Sequence, residues 1–335
     1  MSDKRDSFSS DLRNVMCGMC MGCADVVPGV SGGTVALILG IYQRLVTAIS
    51  HIDRVAFKHL RRREWKPLAE HTDMRFLVAL AGGLVSGVIG MTLVIGVLLS
   101  SHTTRSLTFA VFFGAIFSSA IIVARLIQTA TRRQTICCIV LGLIGAIFAY
   151  RLCTLPITQS AAPPTQARIF FSGCIAICAM ILPGISGAMI LLVLGVYEHL
   201  TEIPRNLVAG QHVTDGLVTI AVFGTACLVS LILFSKILRW LLTRHYATTM
   251  SLLCGFMFGA LRKLWPFQND LTPEIEKFKE KSFEVFVPQQ IDSQTVAVCS
   301  AALIAGGVIF AFDRWTRQTH GEQLSNRTAS TPRQD

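Results

Sequence analysis

The chain has 335 residues, of which 52% are hydrophobic and only 15% charged, and its mean hydropathy is +0.56. A soluble globular domain carries about a quarter charged residues, so this composition excludes one and requires a polytopic membrane protein. The net charge of +10 does not point to nucleic acid, because the positive residues sit in short segments beside apolar runs, where membrane topology places them.

Residues 1–13 are polar and predict a cytoplasmic N-terminal tail. No short apolar core with a small-residue cleavage site follows, so no secretory signal is read. Residues 14–50 form an apolar element broken in its middle by Pro28-Gly29 and Ser31-Gly32-Gly33. Inside it Cys17, Cys20 and Cys23 have metal-like spacing, but no further Cys or His pair completes a site. They read as small packing residues, with no metal and no cofactor; the scattered remainder of the eleven cysteines gives no disulfide framework. Residues 51–75 are basic, with Val55, Phe57, Leu60 and Trp65 interspersed. They serve either as a topogenic loop or as a segment lying along an anionic leaflet.

Spans are predicted at about 76–100, 107–127 and 135–151, completing a first repeat at 14–155. Beyond the Pro163-Pro164 linker a second broken element covers 168–200, with Pro183-Gly184 and Ser186-Gly187 at its centre. Spans follow at about 216–241, 246–263 and 295–313, giving a second repeat at 156–313. Charge-free runs at 77–99, 107–124, 169–197, 216–235 and 295–312 are each long enough for roughly 30 Å of hydrocarbon. Residues 266–294 predict the largest external loop, and 314–335 a disordered cytoplasmic tail.

The two broken elements repeat one another. Pro28, Gly29, Ser31, Gly32, Gly40 and Tyr42 recur as Pro183, Gly184, Ser186, Gly187, Gly195 and Tyr197, 155 residues later. Gly83 and Gly114 recur as Gly224 and Gly255. A re-entrant hairpin followed by three spans makes an odd number of crossings, so the second half is inverted. With the N-terminus in the cytoplasm, the inner segments hold 21 of the 30 Lys and Arg residues, the excess the positive-inside rule expects. Fully spanning elements would instead make the halves parallel and scatter the basic turns. The fold class is therefore all-α: a polytopic membrane protein of two inverted repeats, each a Pro-Gly-broken re-entrant hairpin plus about three transmembrane helices.

Proline removes a helix N–H and glycine admits unusual backbone angles, so Pro28-Gly29 and Pro183-Gly184 end one arm. Ser31 and Ser186 begin the next as N-caps. Irregular backbone at membrane depth survives only when buried or lining a wet cavity, and helix N-termini there attract anions. Duplicated breaks of this kind mark a transporter site. Asp25, three residues before Pro28, is functional by default at that depth: it carries a proton, pairs with an arginine or caps the hairpin. Glu198 is a second proton-coupling candidate. Tyr42 and Tyr197 bond a headgroup or anchor at the interface, and Arg168 is the arginine selected from those at span ends.

The segment from Gly22 through Asp25, Pro28, Gly29, Ser31, Gly32, Gly33 and Thr34 to Leu39-Gly40-Ile41-Tyr42, with its second copy, resembles the signatures of the bacterial polyprenyl-phosphate transporter family. Gln43, Cys23 and Ala188-Met189 depart from the pattern, where Glu, Gly and Ser-Phe are usual. The resemblance implies a flippase in the bacterial inner membrane. It would return undecaprenyl phosphate from the outer to the inner leaflet for cell-wall precursor recycling, both termini being cytoplasmic. It puts weight on Asp25, Pro28, Gly29, Ser31, Gly32, Gly33, Pro183, Gly184, Ser186 and Gly187 as the binding set. The partners implied are the lipid phosphate and the bilayer; a homo-oligomer is left open. The rival function is a small inorganic anion channel or exchanger. An enzyme is not expected, since the histidines form no catalytic cluster.

Overall fold

The computed structural model describes residues 2–27, 30–155, 163–272, 281 and 283–329. Pro28, Gly29 and the junction between the expected repeats lie outside them. The protein is an all-α polytopic membrane protein. Five described helices are long and apolar enough to cross a bilayer: α6 (Met74–Ser100), α7 (His102–Arg125), α8 (Arg132–Cys153), α12 (Val213–Arg244) and α14 (Ser293–Ala329). They leave Leu93, Leu143, Leu233 and Leu303 open to lipid. The shorter α13 (Tyr246–Ala260) is sheathed by its neighbours and continues as a 3-10 turn to Leu264.

Each half opens with a hairpin. The first comprises α1 (Ser2–Val26), α2 (Gly32–Ile38) and α3 (Tyr42–Ser50), with a 117° bend between α2 and α3. The second comprises α9 (Gln166–Ile181), α10 (Gly187–Val193) and α11 (Tyr197–Val208), with a 103° bend between α10 and α11.

Glycine contacts fix the helix directions. Along α1 and α6, Val15 faces Gly83, Met19 faces Gly87, Gly18 faces Leu80 and Gly22 faces Leu84. The registers rise together, so α1 and α6 are parallel, and α2–α3 must bring the chain back to the face where α1 began. The first hairpin is therefore re-entrant, its tip level with the middle of α6. Gln166 bonds Thr219, and Cys174 lies against the Ala226 carbonyl, so α9 and α12 are parallel for the same reason.

The halves also exchange partners. Gly114 and Ser118 of α7 face Ala302 and Gly306 of α14, while Gly142 and Ala146 of α8 face Gly255 and Gly259 of α13. Both pairs are parallel. Taking α6 as upward, α7 runs down and α8 up; α14 then runs down, α13 up and α12 down. The first long helices of the two halves point in opposite directions, which is an inverted repeat. Gly114 and Gly255, matched in the sequence, occupy equivalent contacts about the same pseudo-twofold axis. Small residues at such crossings let backbones approach where lipid supplies no hydrophobic drive.

These directions put Arg75, Arg125, Arg132, Arg239, Arg244 and the end of α14 on one basic face. There, between the first hairpin and α6, lie two short helices, the amphipathic α4 (Arg54–Arg61) and α5 (Trp65–His71), with Phe57 and Trp65 well exposed. On the opposite face the expected external loop holds a small antiparallel pair, β1 (Gln268–Asp270) with β2 (Phe283–Val285). Asp270 ties it down, accepting from Lys281 at 2.7 Å with Arg105 at 3.8 Å. Burial raises the pKa of this carboxyl, but Lys281, the Thr272 amide and Arg105 outweigh it and hold it below the ordinary carboxylate range. The described part of α14 ends at Ala329.

Candidate functional site

The first hairpin is capped by its own side chains. Ser31 stands at the N-cap in extended backbone, φ −125° and ψ 133°, and its hydroxyl accepts from the Gly33 amide at 3.2 Å. The Asp25 carboxylate accepts from the Gly32 amide at 2.6 Å. Charge-assisted bonds of this length are about twice as strong as neutral ones. Gly32 lets the carboxylate approach this closely, since a Cβ there would fall 2.6 Å from Asp25 Oδ2 and the carboxylate would have to shift. An internal carboxylate thus occupies the N-terminal end of α2.

The second hairpin is built differently. Met180 stands where Asp25 does. Ser186 is again an extended N-cap, but its hydroxyl makes no cap bond. Gly184 adopts φ +86°, and a Cβ on it would fall 2.6 Å from the Phe256 carbonyl oxygen. Gly187 packs against the Ala176 carbonyl, 2.9 Å from a built Cβ. Pro183 and Gly184 are buried.

The two hairpins meet. The Gly184 amide donates to Thr34 Oγ1 at 2.8 Å, and Ser31 Oγ donates to the Met180 carbonyl at 3.4 Å. Gly33 lies so close to the end of α9 that a Cβ would be 2.7 Å from the Ile181 oxygen. The structure therefore brings Asp25, Ser31, Gly32, Gly33, Pro183, Gly184, Ser186 and Gly187 to one junction. Thr34, fully buried, was missed as a site residue by sequence reasoning. Its signals were its place in the segment that carries the family resemblance and its asymmetry, for Met189 is its repeat counterpart. Thr34→Val is expected to lower Tm and slow any transport, while Thr34→Ser keeps both near wild type. The reason is that an unpaired buried amide costs about 1–3 kcal/mol. Thermal unfolding of the three purified proteins checks this.

The remaining candidates lie elsewhere. Both Leu-Gly-x-Tyr corners are Schellman caps. Gly40 at φ +71° and Gly195 at φ +64° follow the helix ends, with Gly40 N to Leu37 O and Ile41 N to Ala36 O, then Gly195 N to Leu192 O and Val196 N to Leu191 O. Left-handed backbone at this position is what glycine supplies. Arg168 donates twice to the Leu194 carbonyl, at 3.0 and 2.5 Å, clamping that corner from α9. Glu198 is exposed in the first turn of α11, where a carboxylate suits the helix dipole. Neither is brought to the junction. Tyr42 is 2% exposed, and its hydroxyl has no partner among the described residues; Tyr197 is half-buried.

Paired re-entrant hairpins in an inverted repeat are a transporter architecture, and residues 21–282, which carry both, match the VCA0040-like family, described as undecaprenyl phosphate translocase-like. The chain belongs to this family. It is 37% identical over 270 residues to a polyprenyl-phosphate transporter of Vibrio cholerae serotype O1, covering 81% of this chain and 82% of that protein. It is 30% identical over 266 residues to a polyprenyl-phosphate transporter of Staphylococcus aureus, covering 76% and 86%. No solved structure matches the chain.

Proposed function

We propose that this protein moves undecaprenyl phosphate, or a close polyprenyl phosphate, from the outer to the inner leaflet of a bacterial inner membrane, as a step of carrier-lipid recycling. In this reading the basic face is cytoplasmic, since it carries the excess of Lys and Arg. The family membership and both relatives support the substrate class. The observation that carries the mechanism is the Asp25 carboxylate on the Gly32 amide.

A phosphate cannot cross hydrocarbon unaided, because burying an unpaired charge is prohibitively costly. The prenyl tail can stay in lipid while the headgroup passes through a protein groove. Asp25 holds the junction closed while no phosphate is bound. Phosphate takes the carboxylate's place on the backbone donors around Ser31 and Gly32, and Ser186 with its uncommitted cap supplies the facing side. Protonation of Asp25 weakens its hold on the amide and removes a charge that would repel phosphate, which couples proton uptake to headgroup binding. Glu198, at the mouth of the second hairpin, is a secondary proton carrier.

The test is leaflet exchange of labelled undecaprenyl phosphate in liposomes, with and without a proton gradient. Asp25→Asn keeps an acceptor for Gly32 and loses the titrating charge. It is expected to retain the fold and lose gradient-stimulated exchange. Asp25→Ala loses the cap too, and exchange is expected to drop at least tenfold, the scale of one charge-assisted hydrogen bond. Ser31→Ala with Ser186→Ala is expected to lower exchange further. Inorganic anion flux without lipid-phosphate exchange would establish the channel instead.

A further inference from the structure

A cavity of about 530 Å³ lies on the basic face between α3, the end of α5 and the last turns of α12. Its lining includes none of Asp25, Ser31, Thr34 or Gly184, so it is separate from the hairpin junction. It is where the first hairpin's return arm meets the second half, through Arg239 Nη1 donating to Ser50 Oγ at 2.9 Å.

The charged and titratable side chains facing the cavity are those of Arg44, Arg239, Glu70, Asp73, His51 and His71. Arg44 is spent on Asp73, with bonds of 2.6 and 3.1 Å, and lies over the Phe76 ring. His71 Nε2 is 3.1 Å from the Asp53 carboxylate. Burial raises the pKa of Asp53, but the Ala56 amide, His71 and the Val55 amide outweigh it and keep the carboxyl below its ordinary range. His51 Nδ1 lies 2.8 Å from the His71 carbonyl; a carbonyl can only accept, so the proton sits on Nδ1. Arg239 differs from Arg44. Among the described residues it has the Ser50 hydroxyl and no carboxylate. It is a half-buried guanidinium with donors to spare, beside a cavity of headgroup size. Gln43 adds an amide at the rim, where its repeat counterpart Glu198 would bring a carboxylate.

We propose that this cavity is a second anion station, in which Arg239 binds a phosphate monoester at the basic face after it leaves the hairpin junction or before it enters it. The lipid assignment rests on the transport reading above; the phosphate chemistry does not. A guanidinium offers a planar pair of donors matched to two phosphate oxygens. Glu70 opposes an anion here, which gives the proposal a signed test.

Calorimetry on the purified full-length protein would use farnesyl phosphate, inorganic phosphate and farnesol as probes. Farnesyl phosphate is expected to bind and farnesol not. Arg239→Ala should weaken binding about tenfold or more, Arg239→Lys less, and Glu70→Gln should tighten it severalfold. Tighter binding of farnesyl phosphate than of inorganic phosphate assigns the station to the lipid headgroup; equal binding assigns it to free phosphate. Unchanged affinity in both Arg239→Ala and Glu70→Gln overturns the station even if leaflet exchange is intact. Arg239-dependent phosphate binding without leaflet exchange would leave the station standing and overturn the transport reading.

Discussion

Gly184→Ala is expected to abolish leaflet exchange and lower Tm, while the protein still reaches the membrane. At φ +86° the backbone of Gly184 lies where L side chains are strained, and the new Cβ would fall 2.6 Å from the Phe256 oxygen of α13. Strain in sparsely populated backbone costs about 1–3 kcal/mol, and overpacking against a neighbour that cannot rotate away adds on the order of 1–3 kcal/mol. Relief requires the turn to move, and its amide is the one that bonds Thr34. The damage therefore reaches the junction as well as the fold. The control is Gly210→Ala, also at positive φ (+68°) but with nothing within 4 Å of its Cβ. It is expected to lose some stability and keep exchange. Loss of exchange in both, or in neither, would detach function from the junction.

Gly83→Ala should be among the most destabilising single-methyl changes in the chain, and Gly82→Ala nearly silent. The two glycines are neighbours in α6. A Cβ on Gly83 would sit 2.0 Å from the Val15 oxygen, whereas one on Gly82 meets nothing within 4 Å. The Gly83 methyl forces α1 away from α6 and carries the first hairpin with it. The loss spreads over the whole crossing, so it is expected to exceed the 1–3 kcal/mol typical of an overpacked core. Alanine at the open Gly82 is neutral to slightly stabilising, by about 0.5–1 kcal/mol of helix propensity. Gly224, the repeat counterpart of Gly83, is also open and should tolerate alanine. Detergent-solubilised thermal unfolding of the three variants, read against wild type, decides this directly.

Those glycines show how far the sequence could be read. The match of Gly83 with Gly224 and Gly114 with Gly255 was visible as spacing, yet only the second pair performs equivalent packing. Repeat spacing records common ancestry of position; which face a residue presents depends on partners drawn from the other half. The hairpin breaks were legible because Pro, Gly and Ser act on their own backbone. Inversion was legible because it depends on the parity of crossings and on charge. The Asp25–Gly32 contact lay within reach as one of three alternatives, since seven residues separate its ends. The Thr34–Gly184 bond was not, because no local rule joins residues 150 positions apart. Arg168 looked like a ligand for an anion because its charge is visible in the sequence and the Leu194 carbonyl that uses it is not. Arg239 was overlooked for the converse reason: it reads as one more topogenic residue in a basic turn.

An inverted repeat with identical halves would have two conformations of equal energy, one open to each side, because swapping the halves swaps the sides. Here that swap is not a symmetry operation: Asp25 trades with Met180, Thr34 with Met189 and Gln43 with Glu198. In the proposed transport cycle that asymmetry lifts the degeneracy within the chain itself, so the two facing states would differ in energy. In that cycle a driving force would act on a balance already tilted, and the forward and return strokes would start from unequal populations.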